Sequence, residues 1–456
     1  MSQTSREERS GSSLRLAGAG LGLWGLRTIP LVGRDAERSA LWSGLVRVAE
    51  TGRPAAAVVR GPSGAGKSRL AAWLAWRGHE LGAVEVIEAV WSPEPTPGDG
   101  LATALARHAG ILGLDREQAE QRLEILLRAD GVEDPWEWRT LASLLVPVVA
   151  EPAPENLGSI DDQRRVLLRQ IRRVAARRPV LLLLDDAQWG EEAFAAARVL
   201  LEDGESRPAP VFTLLTVRDE ALAERSGARE ALGALLACPG VLGLPLAALR
   251  DDEQRRLVRD LLGIDADLAR RVEERTAGNP LFAVQLVGDW VERGVLQLGA
   301  SGFTLAPGAS TELPADLSAV WATRIERVLR GLPPESREAL AVAAVLGLRV
   351  AEGEWRSACA ALGYTPPAAL RQRLLDGRLA VGGGEDWSFV HGMLRESIEQ
   401  MARNRDERRW RNYHRTCADL LGSQGDPTLA TRLGRHLLAA GELERALKPL
   451  LTAASS

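Results

Sequence analysis

The segment "GPSGAGKS", from Gly61 to Ser68, combines residue types that proteins use to hold phosphate. It matches the pattern GxxxxGK[ST], with a predicted strand, "AAAVVRG", leading into it and a predicted helix, "KSRLAAWLAWRGH", leading out of it. Glycines let consecutive backbone N–H groups converge on phosphate oxygens, and the helix N-terminus adds positive charge. A glycine-rich turn without function is the alternative, but the strand and the helix favour a phosphate site.

Two side chains of this segment have specific roles in the prediction. The ammonium group of Lys67 is expected to reach the β- and γ-phosphates of a nucleotide, which makes it a candidate catalytic residue, and the hydroxyl of Ser68 is expected to bind Mg²⁺. The residues predicted to bind the nucleotide in this segment are Gly61, Pro62, Ser63, Gly64, Ala65, Gly66, Lys67, Ser68 and Arg69.

Two adjacent carboxylates follow the apolar run in "VLLLLDDAQW". We expect Asp185 to hold the metal ion, directly or through water, and Asp186 to orient or deprotonate the attacking water. A strand that simply runs into a helix cap gives the same pattern, but the phosphate-binding segment upstream favours the catalytic interpretation. For Trp189, packing in the core is favoured over a chemical role.

Arg218, in "TLLTVRDE", comes at the end of the next predicted buried strand. Ligands of open α/β sheets bind at the carboxyl ends of the strands, so this guanidinium is predicted to contact a γ-phosphate and report its presence. The alternative is a solvated or salt-bridged arginine at the start of a helix.

The elements around these residues alternate between short apolar runs and long amphipathic runs as far as Leu246. This alternation predicts an α/β fold with a parallel sheet covered on both faces, interrupted by a helical insertion of about 40 residues. After Leu246 the pattern becomes helical, and the junction "LGASGFTLAPGASTELP" predicts a domain boundary. Trp73 and Trp76, three residues apart on one helix, are expected to pack together in the core.

The composition limits the classes of protein to which the chain can belong. Its 456 residues suggest two to four domains, and 45% hydrophobic with 26% charged residues describe a globular protein. The net charge of −4 gives no reason to expect nucleic acid or an anionic membrane as a partner. The basic segment "RNRDERRWRNYHR" has helical periodicity, which favours a solvated face over a nucleic-acid surface.

No run of apolar residues is long enough to predict a transmembrane helix. The segment "LRLAGAGLGLWGL" resembles a signal-peptide core, but its glycines and the glutamates before it favour a flexible lead-in at 1–28. The cysteines Cys238, Cys359 and Cys417 show no ligand spacing, so we expect reduced thiols in a cytoplasmic protein.

The ordered motifs "LVGRD", "GPSGAGKSRL", "LLLLDDAQW", "LLTVRDE", "TAGNPLF" and "VHGMLRESI" resemble those of the STAND branch of AAA+ P-loop ATPases, the signal-transduction ATPases with numerous domains. The likeness extends over residues 29–456 and is greatest to bacterial multidomain regulators. It implies a P-loop nucleotide-binding domain at 29–246, a helical lid at 247–312, a winged-helix domain at 313–424 and the first unit of a TPR-like helical repeat at 425–456.

The resemblance also implies roles for residues outside the phosphate-binding segment. Val32, Gly33 and Arg34 would line the adenine pocket, and Pro280 would pack on the adenine from the lid. His391 would contact the β-phosphate of bound ADP from the winged helix. Without that resemblance, a lone histidine more often has a structural role. The glycine at position 392 departs from the family pattern.

Two functions from different classes follow. The first is a switch for signal transduction or transcriptional regulation, in which ADP keeps the lid and the winged helix closed and exchange for ATP releases them. The opened protein then associates with itself or passes a signal to a fused effector, and slow Mg²⁺-dependent ATP hydrolysis controls its conformation. The second is a continuously cycling AAA+ motor or loader that acts on a macromolecule. The histidine segment and the start of a repeat array favour the switch, whose trigger the sequence does not identify.

Overall fold

The structure is a computed structural model. It describes residues 31–93, 98–147, 159–204, 206–299, 302–307, 313–382, 386–426 and 429–455. The predicted lead-in at 1–28 lies outside these ranges, as does the part of the predicted junction at 308–312.

A five-stranded parallel sheet forms the centre of the N-terminal part. Its strands are β1 (Ala55–Gly61), β2 (Glu85–Val90), β3 (Val180–Asp185), β4 (Val211–Arg218) and β5 (Val241–Pro245), in the spatial order β2-β3-β4-β1-β5. The residues of β3 and β4 are buried along each strand except at its carboxyl end. The predicted parallel sheet is confirmed, since apolar residues fill both of its faces as expected for strands covered by helices.

The register of the sheet brings the ends of three strands to one edge. Gly61 of β1 pairs with Arg218 of β4, and Leu184 of β3 pairs with Leu215 of β4, so Asp185 lies level with Thr216. The phosphate-binding segment, the two carboxylates and the arginine therefore leave the sheet side by side, as the sequence predicted.

Helices cover both faces of this sheet. They are α1 (Asp35–Thr51), α2 (Lys67–Glu80), α3 (Gly100–His108), α4 (Arg116–Ala129), α5 (Pro135–Leu145), α6 (Ile160–Arg177), α7 (Glu191–Glu202), α8 (Asp219–Ala223) and α9 (Ser226–Leu236). Leu41 of α1 and Leu70 of α2 pack on one face, and Ile171 of α6 and Phe194 of α7 belong to the apolar cluster on the other face. Helices α3, α4 and α5 join the second cluster, and α4 and α5 lie in the predicted helical insertion.

The prediction that both tryptophans of α2 pack in the core is confirmed for Trp73 and wrong for Trp76. Trp73 packs against the apolar cluster and carries the Arg38 guanidinium 4.5 Å from its ring centroid, whereas Trp76 is 63% exposed. Three residues correspond to about 300° of helical rotation, so the two side chains share a side of the helix without sharing its buried stripe.

Three helices follow the sheet: α10 (Asp251–Arg255), α11 (Ala266–Thr276) and α12 (Pro280–Arg293). Helix α10 continues directly into a π-helical turn (Arg256–Leu261). A hairpin of β6 (Leu296–Gly299) and β7 (Gly302–Leu305) follows. Gly294 ends α12 in the left-handed conformation, as the glycine stop signal predicts.

The next segment combines helices with a three-stranded antiparallel sheet in the order β8-β10-β9. Its elements are α13 (Leu317–Leu329), α14 (Glu335–Leu346), β8 (Arg349–Ala351), α15 (Glu352–Ala361), α16 (Ala368–Asp376), β9 (Ala380–Val381), β10 (Asp386–Phe389), α17 (Gly392–Arg405) and α18 (Glu407–Gln424). One apolar core joins it to the preceding helices, with Trp290, Trp321, Trp355 and Trp387 buried in it. The assignment of this segment as a winged helix stays a prediction.

The last two helices, α19 (Ala430–Ala440) and α20 (Leu443–Ser455), pack against each other and α18 through Ala418, Leu437 and Ala446. Arg435 of α19 donates a hydrogen bond to the carbonyl oxygen of Pro93, beyond β2. The assignment of this helix pair as the start of a repeat stays a prediction. Within the described residues, no helix has the length and apolar character to cross a membrane.

Candidate functional site

A cavity of about 510 Å³ lies between the carboxyl edge of the parallel sheet, the helix α12 and the start of α17. The phosphate-binding segment forms one wall from Ser63 to Arg69, and Pro280 lines the wall of α12. The segment 390–393 forms a third wall, which includes His391. The chain thus brings to one cavity residues that are far apart in sequence.

Lys67 lies at the N-terminus of α2 with only 7% of the residue exposed. Its ammonium group donates hydrogen bonds to the carbonyl oxygens of Gly61, at 2.9 Å, and Pro62, at 2.8 Å. Burial lowers the pKa of Lys67, and the charge of Asp186 partly opposes this effect. The ammonium group is therefore held in the loop that is predicted to surround phosphate.

The conformation of this loop depends on glycine at two positions. Gly64 and Gly66 have φ angles of 79° and 97°, which L-residues with a Cβ rarely adopt. A Cβ on Gly64 would also lie 2.7 Å from Oδ1 of Asn279. The loop can therefore approach α12 closely.

Ser68 and Asp185 meet at the predicted metal position. The Ser68 hydroxyl donates to Oδ1 of Asp185 at 2.9 Å, and the Thr216 hydroxyl donates to the same oxygen. Burial raises the pKa of Asp185 to about 6, with a further contribution from the charge of Asp186. A hydroxyl beside a carboxylate is a donor set that suits Mg²⁺, and these residues fit that ion. Within the described ranges no cluster of three or more His, Cys, Asp and Glu side chains offers another metal site.

Asp186 lines the cavity in a left-handed conformation, with a φ angle of 54°. Aspartate tolerates this conformation better than most residues. Its backbone N–H donates to the Thr216 hydroxyl at 2.9 Å, and Oδ1 of its carboxylate accepts from Nε2 of the buried Gln188 at 2.9 Å. The carboxylate is thereby held at the cavity wall.

Arg218 also lines the cavity, and its guanidinium is held by two carboxylates. Its Nη1 donates to both oxygens of Glu396, at 2.9 and 3.0 Å, and its Nη2 donates to Asp186 at 3.3 Å. Burial opposes the charged form, but Asp186 and Glu396 outweigh it and raise the pKa of Arg218. The structure thus shows the salt-bridged arginine of the alternative interpretation at the position where the γ-phosphate sensor was predicted.

The residues Val32, Gly33 and Arg34 connect the nucleotide-binding part to the following helices. Val32 lines the cavity, and the buried Arg34 donates from Nη2 to the carbonyl oxygen of Ala247 at 2.5 Å. The backbone N–H of Arg34 donates to Glu253 at 2.8 Å, and a Cβ on Gly33 would lie 2.1 Å from the same carboxylate. Val32 and Arg34 lie at the cavity, whereas Gly33 makes room for Glu253.

Pro280 begins α12 and lines the cavity, with its Cγ 3.9 Å from where a Cβ on Gly66 would lie. The preceding residue, Asn279, caps the helix by accepting from the Phe282 N–H at 3.1 Å. Its amide donates to the carbonyl oxygen of Ser63 at 3.1 Å. The start of α12 is therefore hydrogen-bonded directly to the phosphate-binding segment.

His391 immediately precedes α17, and its side chain lines the cavity without capping that helix. Burial lowers its pKa, and the positive charge of Arg324 lowers it further. A neutral imidazole is therefore favoured, and a neutral ring presents one N–H donor and one acceptor nitrogen. The structure brings His391 and Lys67 to one cavity, as predicted, although 324 residues separate them (391 minus 67).

Five residues of the site were missed by the sequence reasoning: Thr216, Gln188, Glu253, Asn279 and Glu396. Asn279 had a readable signal, since Asn followed by Pro at the start of an apolar run is typical of a helix cap. Thr216, Glu253 and Glu396 act through partners 30 to 219 residues away, which no local pattern reveals. Gln188 contacts Asp186, two residues away, and Arg218, 30 residues away.

Comparison with known proteins gives a match for the N-terminal part. Residues 30–215 match the family described as AAA ATPase domain. No curated protein matches the chain.

Two solved structures show a weak overall likeness. Cdc6p from Pyrobaculum aerophilum is 12% identical with a TM-score of 0.36, and the alignment covers 82% of this chain and 96% of that one. Drosophila ORC bound to DNA is 14% identical with a TM-score of 0.34, covering 84% of this chain and 91% of that one. Both TM-scores lie below 0.5, so neither structure by itself establishes a shared fold.

An AAA ATPase domain binds a nucleotide, typically together with Mg²⁺. The phosphate-binding segment at the end of β1, the carboxylates at the end of β3 and the arginine at the end of β4 have the placement that this chemistry requires. Together with the sequence match, they support a P-loop fold similar to the AAA ATPase domain for residues 30–215.

Proposed function

We propose that the protein is a STAND-type nucleotide switch, in which bound ADP holds a closed form and exchange for ATP releases it. In this proposal residues 247–312 are the helical lid, 313–424 the winged helix and 425–456 the first helical repeat. The observation that carries it is the shared cavity of Lys67 and His391. A ligand that contacts both residues links the AAA ATPase domain to a distant segment.

The phosphate end of the ligand is assigned to the loop 61–69. Backbone N–H groups of this loop and the Lys67 ammonium bind the phosphates, and Lys67 exchanges its two carbonyl partners for phosphate oxygens. Ser68 and Asp185 hold Mg²⁺, which neutralises phosphate charge when bound. Val32, Arg34 and Pro280 also line the cavity and are assigned to the base of the nucleotide.

Hydrolysis is assigned to Asp186 and Arg218. The Asp186 carboxylate, held by Gln188, accepts the proton of the attacking water or orients it for attack. The Arg218 guanidinium stabilises charge on the transferred phosphoryl group once it is free of Glu396. Because this guanidinium is paired in the closed form, we expect hydrolysis to be slow.

His391 is assigned to the β-phosphate of ADP. Its cavity position depends on the packing of residues 313–424, so the contact exists only while this segment is docked. A ligand shifts a conformational equilibrium through its different affinities for the two states. ADP therefore stabilises the closed form, and we expect the open, ATP-bound form to self-associate.

The test is nucleotide retention and turnover of the purified protein. A switch retains close to one ADP per chain, measured by ion-exchange chromatography after denaturation, and hydrolyses ATP slowly. Rapid turnover by the monomer with little retained nucleotide would favour the cycling motor or loader instead. Lys67→Ala, which should retain no nucleotide, is the control for contaminating ATPases.

A further inference from the structure

Glu396 is an acidic residue of α17 whose carboxylate reaches the carboxyl edge of the parallel sheet. We propose that Glu396 determines the nucleotide preference of the closed form by holding the Arg218 guanidinium that a γ-phosphate would otherwise bind. This proposal rests on the proposed function, since it concerns the same nucleotide site. It adds a residue that acts against the triphosphate, whereas His391 acts in favour of the diphosphate.

Glu396 and Arg218 form a direct, hydrogen-bonded salt bridge. Both carboxylate oxygens of Glu396 accept from Nη1 of Arg218, at 2.9 and 3.0 Å. The arginine side chain is 11% exposed and that of Glu396 is 35% exposed, so water screens the pair only in part. Among the described residues, Arg218 is the one cation within salt-bridge distance of Glu396.

The surroundings fix the arginine and leave room for the glutamate. The Arg218 backbone N–H donates to Oε1 of Gln188 at 3.0 Å, and its Nη2 lies 3.3 Å from Asp186. Gly392 lies beside the pair, since a Cβ there would be 3.7 Å from Nη2 of Arg218 and 3.9 Å from Oε1 of Glu396. Both distances are ordinary van der Waals contacts, so Gly392 packs beside the pair without obstructing it.

Carboxylate and phosphate compete for the same guanidinium. Arginine binds either group through charge-assisted hydrogen bonds, and its N–H groups have fixed directions. A diphosphate has no γ-phosphate and leaves the pair intact. A triphosphate must either displace Glu396 from Arg218 or place its γ-phosphate close to the negatively charged Glu396 carboxylate. The closed form therefore accepts ADP and disfavours ATP, and displacement of Glu396 releases α17 from the sheet edge.

The test compares the affinities of nucleotide-stripped protein for fluorescent ADP and ATPγS in the presence of Mg²⁺. Glu396→Gln removes the charge and nearly preserves the shape. We expect its ADP affinity to stay within about twofold of the parent, while its ATPγS affinity rises about tenfold. In the Arg218→Ala background, Glu396→Gln should give no such gain, because the guanidinium that both anions share is absent.

Two further variants separate this role from a merely structural one. Glu326→Gln removes a carboxylate from an exposed pair with Arg337 in the same segment and should leave both affinities unchanged. Glu396→Asp keeps the negative charge and should keep the preference for ADP. An equal rise or an equal fall for both nucleotides in Glu396→Gln, or an unchanged ratio, would overturn the proposal. If the parent binds neither nucleotide, or binds them no better than Lys67→Ala, the proposed function itself fails.

Discussion

The two sides of the nucleotide cavity are built in different ways. On one side, Gly61, Asp185 and Arg218 lie at the ends of neighbouring parallel strands, and the register of the sheet fixes their separation. Lys67 follows at the start of α2. On the other side, His391 and Glu396 belong to a segment with its own three-stranded sheet, which shares an apolar core with the helices α11 and α12. The first side is set by backbone pairing, and the second by docking of one segment on another.

This difference in construction predicts which of three properties, nucleotide affinity, hydrolysis and the preference between ADP and ATP, a substitution will change. Backbone hydrogen bonds hold the strand ends in place, so the residues assigned to binding and hydrolysis keep fixed positions relative to one another. In the proposed function, the other side of the cavity is lost when the segment 313–424 undocks, so the choice between ADP and ATP would depend on residues that are present only in the docked form. Variants on the first side should alter chemistry or affinity for both nucleotides, and variants on the second should alter the balance between them.

The largest expected effect belongs to Asp186→Asn on the sheet side. The metal ligands remain and the proton acceptor is lost, so ATP affinity should change little while turnover falls about 10²- to 10⁴-fold. Single-turnover hydrolysis of radiolabelled ATP measures the chemical step, and the variant should accumulate with ATP bound. If Asp185→Asn leaves Mg²⁺-dependent binding intact while Asp186→Asn abolishes it, the roles of the two carboxylates are reversed.

Lys67→Ala should affect both nucleotides alike. Loss of charge-assisted contacts with the phosphates corresponds to about 3 kcal/mol, which is about a 100-fold loss of affinity for ATP and ADP. Isothermal titration in the presence of Mg²⁺ measures both affinities. The matched control is Lys448→Ala, at an exposed position on α20, which should bind as the parent does. Unchanged affinity in Lys67→Ala would contradict the assignment of the loop.

Asp185→Asn tests how much the charged carboxylate at the predicted metal position lowers the free energy of unfolding. The raised pKa of about 6 means that the folded protein disfavours the charged carboxylate relative to the unfolded chain. For a raised carboxyl pKa, stability is lost as pH rises from the unfolded value through about 6, and the full cost is present above it. We therefore expect Asp185→Asn to stabilise the nucleotide-free protein by up to about 3 kcal/mol at pH 7.5.

The same substitution should give a much smaller gain at pH 4.5, where the parent carboxyl is largely protonated. Urea denaturation at the two pH values, without nucleotide or Mg²⁺, measures the difference. Mg²⁺-dependent ATP binding should meanwhile be lost. Equal gains at both pH values would show that a cause other than the charge of Asp185 changes the stability.

The same contrast explains what could be predicted from the sequence. The phosphate-binding segment and the carboxylates at the end of β3 were predictable because a strand, a turn and a helix follow one another in a short stretch of chain. Arg218 was predicted at the right strand end, but not that Glu396 holds it, because that pair spans 178 residues. The prediction of a buried Trp76 failed because tertiary packing, rather than spacing alone, determines which part of a helix face is covered.

The smallest expected effect, and the one that most directly tests the docked side, belongs to His391→Ala. A neutral imidazole that donates one hydrogen bond to a charged β-phosphate contributes about 1.5 kcal/mol, so ADP should dissociate about tenfold faster. The contact exists only when the segment 313–424 is docked, and the affinity of the open form for ATP should therefore hardly change. Stopped-flow release of fluorescent ADP measures the rate, with His79→Ala, at an exposed position on α2, as the matched control.

Loss of the contact should also shift the population towards the open form, which size-exclusion chromatography with ATP detects as greater self-association. Equal ADP dissociation rates in His391→Ala and the parent would mean that the docked segment encloses the nucleotide without binding it, and the contrast between the two sides of the cavity would then rest on Glu396.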